Sequence, residues 1–216
     1  MNSNLLLQGA DSVGVNLDGS TMGRFQQFMT ELLRWNRAIN LTSITSPDEI
    51  VLKHFVDSLS IVPLLNPGER LLDVGSGAGL PGLVVALVRS DLTITSLDAV
   101  DKKVRFQRHL CRLLDLTQVE VVHGRIEQFS AQHEEGYDVV TSRAFRDLDR
   151  FATLTKGAVR RGGRLVAMMA GTAADVATRV DNVSRRVGME HLETRSYNLL
   201  NGLGARNLVV LQRNML

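Results

Sequence analysis

Residues 70–82 read RLLDVGSGAGLPG, a short apolar run followed by four glycines within eight residues. An apolar strand feeding a glycine-dense turn, with a second apolar run from Leu83 to Val88 behind it, is the opening unit of a parallel α/β sheet that holds a ligand at its first loop. Glycine is called for there because the backbone must approach the ligand or adopt positive φ. The spacing satisfies two fingerprints at once. Gly77, Gly79 and Gly82 spell the G-x-G-x-x-G of a dinucleotide loop, while Asp73 and Gly75 lie upstream, where a methyl-donor loop has them.

The rest of the chain agrees with such a sheet. Strands are expected at 70–74, 93–97, 119–122, 138–142, 164–169, 191–197 and 207–212, with helices at 81–88, 101–114, 148–160 and 173–187. That alternation predicts a Rossmann-like seven-stranded sheet with helices on both faces. Gly202 and Gly204 leave too little chain for a helical crossover, so the seventh strand should run antiparallel to its neighbour. Ahead of the sheet, Met22, Phe25, Phe28, Met29, Leu32, Leu33 and Ile39 recur at helical spacing. Ser46-Pro47-Asp48-Glu49 reads as a capping box opening a second helix to about residue 65. Residues 1–19 lack sustained periodicity and are expected to be poorly ordered. The organisation expected is a helical extension, 1–66, and a cofactor-binding core, 67–216.

Ligands in such sheets sit beyond the carboxyl ends of the strands. The groups available there are Asp73, Ser76 and the glycines after strand one, Asp98 after strand two, Ile126 and Glu127 after strand three, and Ser142 and Arg143 after strand four. Asp98, 21 residues beyond Gly77, suits ribose hydroxyls in either kind of cofactor and does not discriminate. Asp73 does, because a carboxylate at the loop mouth would repel a pyrophosphate. S-adenosyl-L-methionine carries a sulfonium and an ammonium and no phosphate.

Charge adds a partner. The net charge is only +2, yet 102–112 holds Lys102, Lys103, Arg105, Arg108 and Arg112 with no acid, and 143–164 holds seven basic residues, Arg146 among them, against two acids. These are either solvated faces or a surface for a polyanion. A single cysteine, Cys111, leaves no disulfide framework, and no run is long enough to span a membrane, so a cytoplasmic protein is expected.

Six stretches then point further: LLRWNRAINLTS (32–43), KHFVDS (53–58), LLDVGSGAGLPG (71–82), LDAVDKKVRF (97–106), SRAF (142–145) and RNLVV (206–210). With these the chain resembles, along nearly its whole length, the ribosomal RNA small subunit methyltransferase G family, also called glucose-inhibited division protein B. The resemblance implies a class I methyltransferase sheet, S-adenosyl-L-methionine as donor, and N7 methylation of one guanine in 16S ribosomal RNA, within the small subunit or a precursor of it, with neither DNA nor a membrane as partner. It also implies cofactor contacts at Gly75, Leu80, Ile126, Glu127 and Arg143. Met169-Ala170-Gly171 departs from the lysine that many members carry before this glycine.

The chemistry is consistent with that implication. Guanine N7 has an in-plane lone pair and no proton, so its methylation needs alignment and no general base. The five histidines are scattered without ligand spacing, no metal site is expected, and Cys111 lies mid-helix, unlike a loop-borne nucleophile. Trp35, with Asn36 and Asn40, either stacks a base or packs into the core. His54 and Asp57 are expected to pair on one helix face. Arg143, just past a strand end, is the residue expected to face the cleft and serve the reaction. Lys102, Arg105, Arg108 and Arg146 are the expected RNA contacts. Two other classes stay in view: a nicotinamide-dependent oxidoreductase and a non-catalytic ribosomal RNA-binding assembly factor.

Overall fold

A computed structural model describes residues 1–143 and 147–215, the side chain of residue 175 apart. Seven strands, β1 (Arg70–Val74), β2 (Thr93–Asp98), β3 (Val119–His123), β4 (Tyr137–Ser142), β5 (Val159–Ala170), β6 (Met189–Asn198) and β7 (Ala205–Arg213), form one sheet in the order β3-β2-β1-β4-β5-β7-β6. Strands β1 to β5 pair in parallel, and β7 runs antiparallel to both β5 and β6, as the short glycine loop requires. The order reverses between β1 and β4, which opens a crevice at their carboxyl ends.

Alternation along the strands sends side chains to two faces. Leu71, Ile94, Val139, Val166 and Val210 face one apolar cluster, and Leu72, Leu97, Val140, Leu165 and Val209 face the other. The first is covered by α1 (Ser3–Ser12), α2 (Gly19–Ile39), α5 (Gly82–Val88) and α6 (Asp101–Leu113), with Phe28 set between Phe55 at 5.4 Å and Phe106 at 6.5 Å, ring to ring. The second is covered by α7 (Ile126–Gln132), α8 (Leu148–Thr155) and α9 (Ala173–Val187). Trp35 packs between α2 and α6, its ring 5.6 Å from that of Phe106, so the packing reading of this aromatic holds.

Four expectations are corrected. Residues 3–12 are a helix, not a disordered start. The Asn2 side chain caps it by accepting from Leu5 N at 3.1 Å, and Leu5, Leu6, Gly9 and Ala10 are buried at helical spacing. Gly9 is tight against Val56, where a Cβ would come within 2.4 Å of a methyl carbon. The 47–65 helix is irregular: α3 (Pro47–Ile50), a π-helical Val51–Val56 and α4 (Asp57–Leu59), with no side-chain cap from Ser46. Helix α8 stops at Thr155, and 159–163 starts β5 instead, with Gly163 placed where a Cβ would meet the carbonyls of Tyr137 and Asp138 at 2.9 Å. Ile126 and Glu127 open α7, not a loop.

Candidate active site

The loop after β1 carries the glycines at φ values of 68° (Gly75), 59° (Gly77) and 81° (Gly79), conformations that side chains resist. Seven of its amides are spent inside the protein. Gly75 N and Ser76 N donate to Leu97 O (2.8 and 3.1 Å), Gly79 N and Leu80 N to Ser76 O (both 2.9 Å), and Leu83 N to Gly79 O (2.9 Å). Gly77 N donates to Asp98 Oδ2 (2.7 Å) and Gly82 N to Asp73 Oδ2 (2.8 Å). A pyrophosphate needs such amides free at a helix N-terminus. Here seven are taken, and that weighs against the nicotinamide reading.

A residue that sequence reasoning missed fastens the loop. Gln107, fully buried on α6, accepts from Ser96 Oγ at 2.6 Å and donates to Ser76 Oγ at 2.8 Å and Gly77 O at 2.9 Å. Its signal was a glutamine among the apolar positions Val104, Phe106 and Leu110 of an amphipathic helix.

Asp73 is corrected in role. It lies at 0% exposure beneath the loop, not at its mouth, with Oδ2 holding the first amide of α5 and Oδ1 without a hydrogen-bond partner among the described residues. Burial pushes its pKa up to about 7 against the Gly82 amide and Arg143, with Asp98 adding a further rise. A group bound more tightly to its proton when folded stabilises fully below its unfolded pKa of about 4, and loses that contribution as pH rises through about 7. Asp73→Asn keeps an acceptor for Gly82 N and cannot ionise. Its stability relative to the parent is expected to rise by on the order of 4 kcal/mol between pH 4 and pH 8, read by denaturant unfolding at both pH values; an offset equal at both would contradict it. His54, buried and pushed down to about 4 by burial and then by Arg143, loses stability as pH falls from about 6.5, but equally in both proteins.

Three clefts line the carboxyl edge. The first, about 170 Å³, is bounded by Gly75, Leu97, Asp98, Gly124, Ile126 and Glu127. The second, about 230 Å³, shares Gly75 and adds Ser76, Gly77, Leu80, His54 and Lys103. The third, about 210 Å³, lies between the helical extension and β5, and meets the second at Arg143. Asp98 accepts from Gly77 N and from Val100 N (2.8 Å), which leaves lone-pair directions of its carboxylate for hydroxyl donors. The first cleft offers an adenosine apolar Leu97 and Ile126 for the base and the Asp98 carboxylate for the ribose, with Arg125 and Arg150 also on its wall.

Arg143 stands where expected but is not a lone arginine in the cleft. Its Nη1 donates to His54 O (3.2 Å) and Ser58 Oγ (3.0 Å), its Nη2 to Lys53 O (2.7 Å), and it pairs with Asp57 Oδ2 at 3.3 Å. It therefore ties the end of β4 to the helical extension, bordering two clefts. His54 and Asp57 do not pair with each other: His54 Nε2 is 2.8 Å from Thr42 Oγ1, and Asp57 accepts from Tyr197 OH at 2.8 Å. Of the expected RNA contacts, Arg105 pairs with Asp101 at 2.7 Å, Arg108 donates to Val121 O at 3.0 Å, and Lys102 is exposed on the same helix. Arg146, with Ala144 and Phe145 of the SRAF stretch, lies outside the described residues. Lys103, which borders the second cleft, was not singled out.

Comparison with solved structures places this architecture. A S-adenosylmethionine-dependent methyltransferase from Aquifex aeolicus superposes with a TM-score of 0.58 at 15% identity over 80% of this chain and 96% of that one. Fibrillarin of Aeropyrum pernix, in complex with S-adenosyl-L-methionine, gives 0.55 at 14% identity over 68% and 67%. The chain has the Rossmann-like fold of the class I methyltransferases. Residues 21–206 match the family described as rRNA small subunit methyltransferase G, and the chain belongs to that family. Proteins named ribosomal RNA small subunit methyltransferase G from Geotalea uraniireducens and Geobacter sp. strain M21 are 39% and 40% identical to it, each over 97% of this chain and 95% and 97% of their own length.

Proposed function

We propose that the protein methylates N7 of one guanine in 16S ribosomal RNA, in the cytoplasm, on the small subunit or a precursor of it. The observation that carries the donor half is the loop most of whose amides are consumed internally while Gly75 and Gly77 keep side chains out of the second cleft. Asp98, Leu97, Ile126 and Glu127 would hold the adenosine, and Gly75, Ser76, Gly77, Gly79 and Leu80 the methionine part, with Asp73 and Gln107 beneath them as supports. S-adenosyl-L-methionine supplies a methyl group on a positively charged sulfur. This chain's own task is to align the N7 lone pair with that methyl and exclude water, with no proton to move. The burial-depressed His54 suits such a site, being neutral at physiological pH and not called on as a base.

Purified protein incubated with methyl-labelled donor and unmodified small subunits is expected to transfer label to 16S RNA as 7-methylguanosine; donor binding without transfer would favour the assembly-factor reading. On the RNA side, the outer face of α6, with Lys102, Arg105 and Arg108, is assigned to phosphate contacts, Lys103 at the cleft beside them and Arg146 with them. Charge-removing substitutions at Lys102 and Arg105 should each lower the slope of log affinity against log salt by about 0.7–0.9. Slopes unchanged by either would return this face to solvent.

A further inference from the structure

The third cleft has an unusual floor. Asp57 lies in it, 6% exposed, held by the Tyr197 hydroxyl on Oδ1, which itself is 2.8 Å from Ser60 Oγ. Two arginines face its carboxylate, Arg143 at 3.3 Å and Arg206 at 3.5 Å, and among the described residues these are the two longest ion pairs. Arg164 and Glu69 meet at 2.5 Å, Arg89 and Asp91 at 2.7 Å. The carboxylate is thus fixed and neutralised, yet its arginine contacts are longer than good charge-assisted hydrogen bonds. Met168, whose side chain faces the helical extension, gives it an apolar wall, and Lys53 and Arg206 border the opening.

We propose that Asp57 is the specificity residue of the acceptor site, reading the Watson–Crick edge of the target guanine. The inference rests on the guanine-N7 reading above and adds to it the group that selects the base. A base taken out of its stack is recognised by hydrogen bonds on that edge and by apolar contact with its faces. Guanine presents two adjacent donors there, N1–H and the N2 amine, matching the two oxygens of a carboxylate. Adenine sets a lone pair at N1 against it, and cytosine at N3. The Met168 thioether suits a ring face, and the cations suit the flanking phosphates. N7 belongs to the other ring, remote from N1 and N2, so a base held by Asp57 leaves N7 free for the donor clefts, which adjoin across Arg143.

The test uses the full chain and reconstituted small subunits whose target position, mapped with the unaltered enzyme, carries guanosine, inosine or 1-methylguanosine. Inosine lacks the N2 amine and keeps N7; 1-methylguanosine lacks N1–H. The unaltered enzyme should lose tenfold or more in kcat/KM on inosine, the range for one hydrogen bond to a charged group, and should not use 1-methylguanosine. Asp57→Asn, checked by cooperative unfolding and by unchanged binding of S-adenosylhomocysteine, should discriminate guanosine from inosine by less than about threefold. A purely structural role would slow both substrates alike and keep the ratio, and any intrinsic difference in N7 reactivity cancels between the two enzymes. An unaltered enzyme that accepts inosine as well as guanosine, or accepts 1-methylguanosine, overturns the proposal without any variant. An Asp57→Asn protein that keeps the parent's ratio overturns it too. No 7-methylguanosine on the guanosine substrate would instead sink the functional reading on which it stands.

Discussion

Gly77→Val should abolish binding of S-adenosylmethionine while leaving a folded protein. The residue sits at φ 59° and a Cβ there meets nothing nearer than Gly75 O at 4.0 Å, so the fold has room for the side chain. The room is the second cleft itself, which Gly77 lines. A β-branched side chain adds a left-handed strain of about 1–2 kcal/mol, lowering the melting temperature by several degrees, and its methyls occupy the place proposed for the methionine part of the donor. Calorimetry should show the dissociation constant raised at least about 100-fold, or roughly 2.7 kcal/mol. Gly79→Val is a poorer probe because its Cβ would strike Leu83 at 2.8 Å, so lost binding would be confounded with lost packing. A folded Gly77→Val that binds as tightly as the parent would make the loop structural only.

Arg143→Ala should be the most damaging single change to turnover outside the donor loop. It deletes three hydrogen bonds to the 53–58 segment and one of the two cations facing buried Asp57. Removing one partner of a buried pair costs about 3–5 kcal/mol. The arginine side chain is 20% exposed, so roughly 2–3 kcal/mol of stability is expected. Because the guanidinium borders the second and third clefts and does not line the first, we propose it as a positioning residue. The expected signature is a kcat lowered at least about 100-fold, as for misplacement of reacting groups, with donor affinity changed less than tenfold. Arg143→Lys should not rescue, since a single ammonium cannot span the acceptors a planar fork reaches. Equal losses in donor binding and turnover would mean that the residue holds the donor directly.

Much of this was legible in the sequence where one signal dominates. Strand positions and the antiparallel last strand followed from apolar runs and from a loop too short to cross over. Helix α1 was missed because two leucines and two small residues make a faint stripe, although the Gly9 contact with Val56 explains the glycine. The start of β5 was hidden by the run RRGGR, in which Gly163 is demanded by the carbonyls of Tyr137 and Asp138 and Gly162 by a φ of 72°. In the site, Asp98, Ile126 and Glu127 line one cleft and Ser76 and Gly77 the next, with Gly75 shared between them. The position of Asp73 under the loop was not legible, because spacing does not say which side of a strand end faces the ligand. Nor was the Asp57–Tyr197 contact, which joins residues 140 apart.

The most direct measurement of the central claim is nucleoside analysis of 16S ribosomal RNA from cells that lack the protein and from the same cells carrying it. Methylation of guanine N7 predicts the loss of one 7-methylguanosine per 16S molecule, restored by the parent chain and not by Gly77→Val. An unchanged 7-methylguanosine content in the absence of the protein would contradict it.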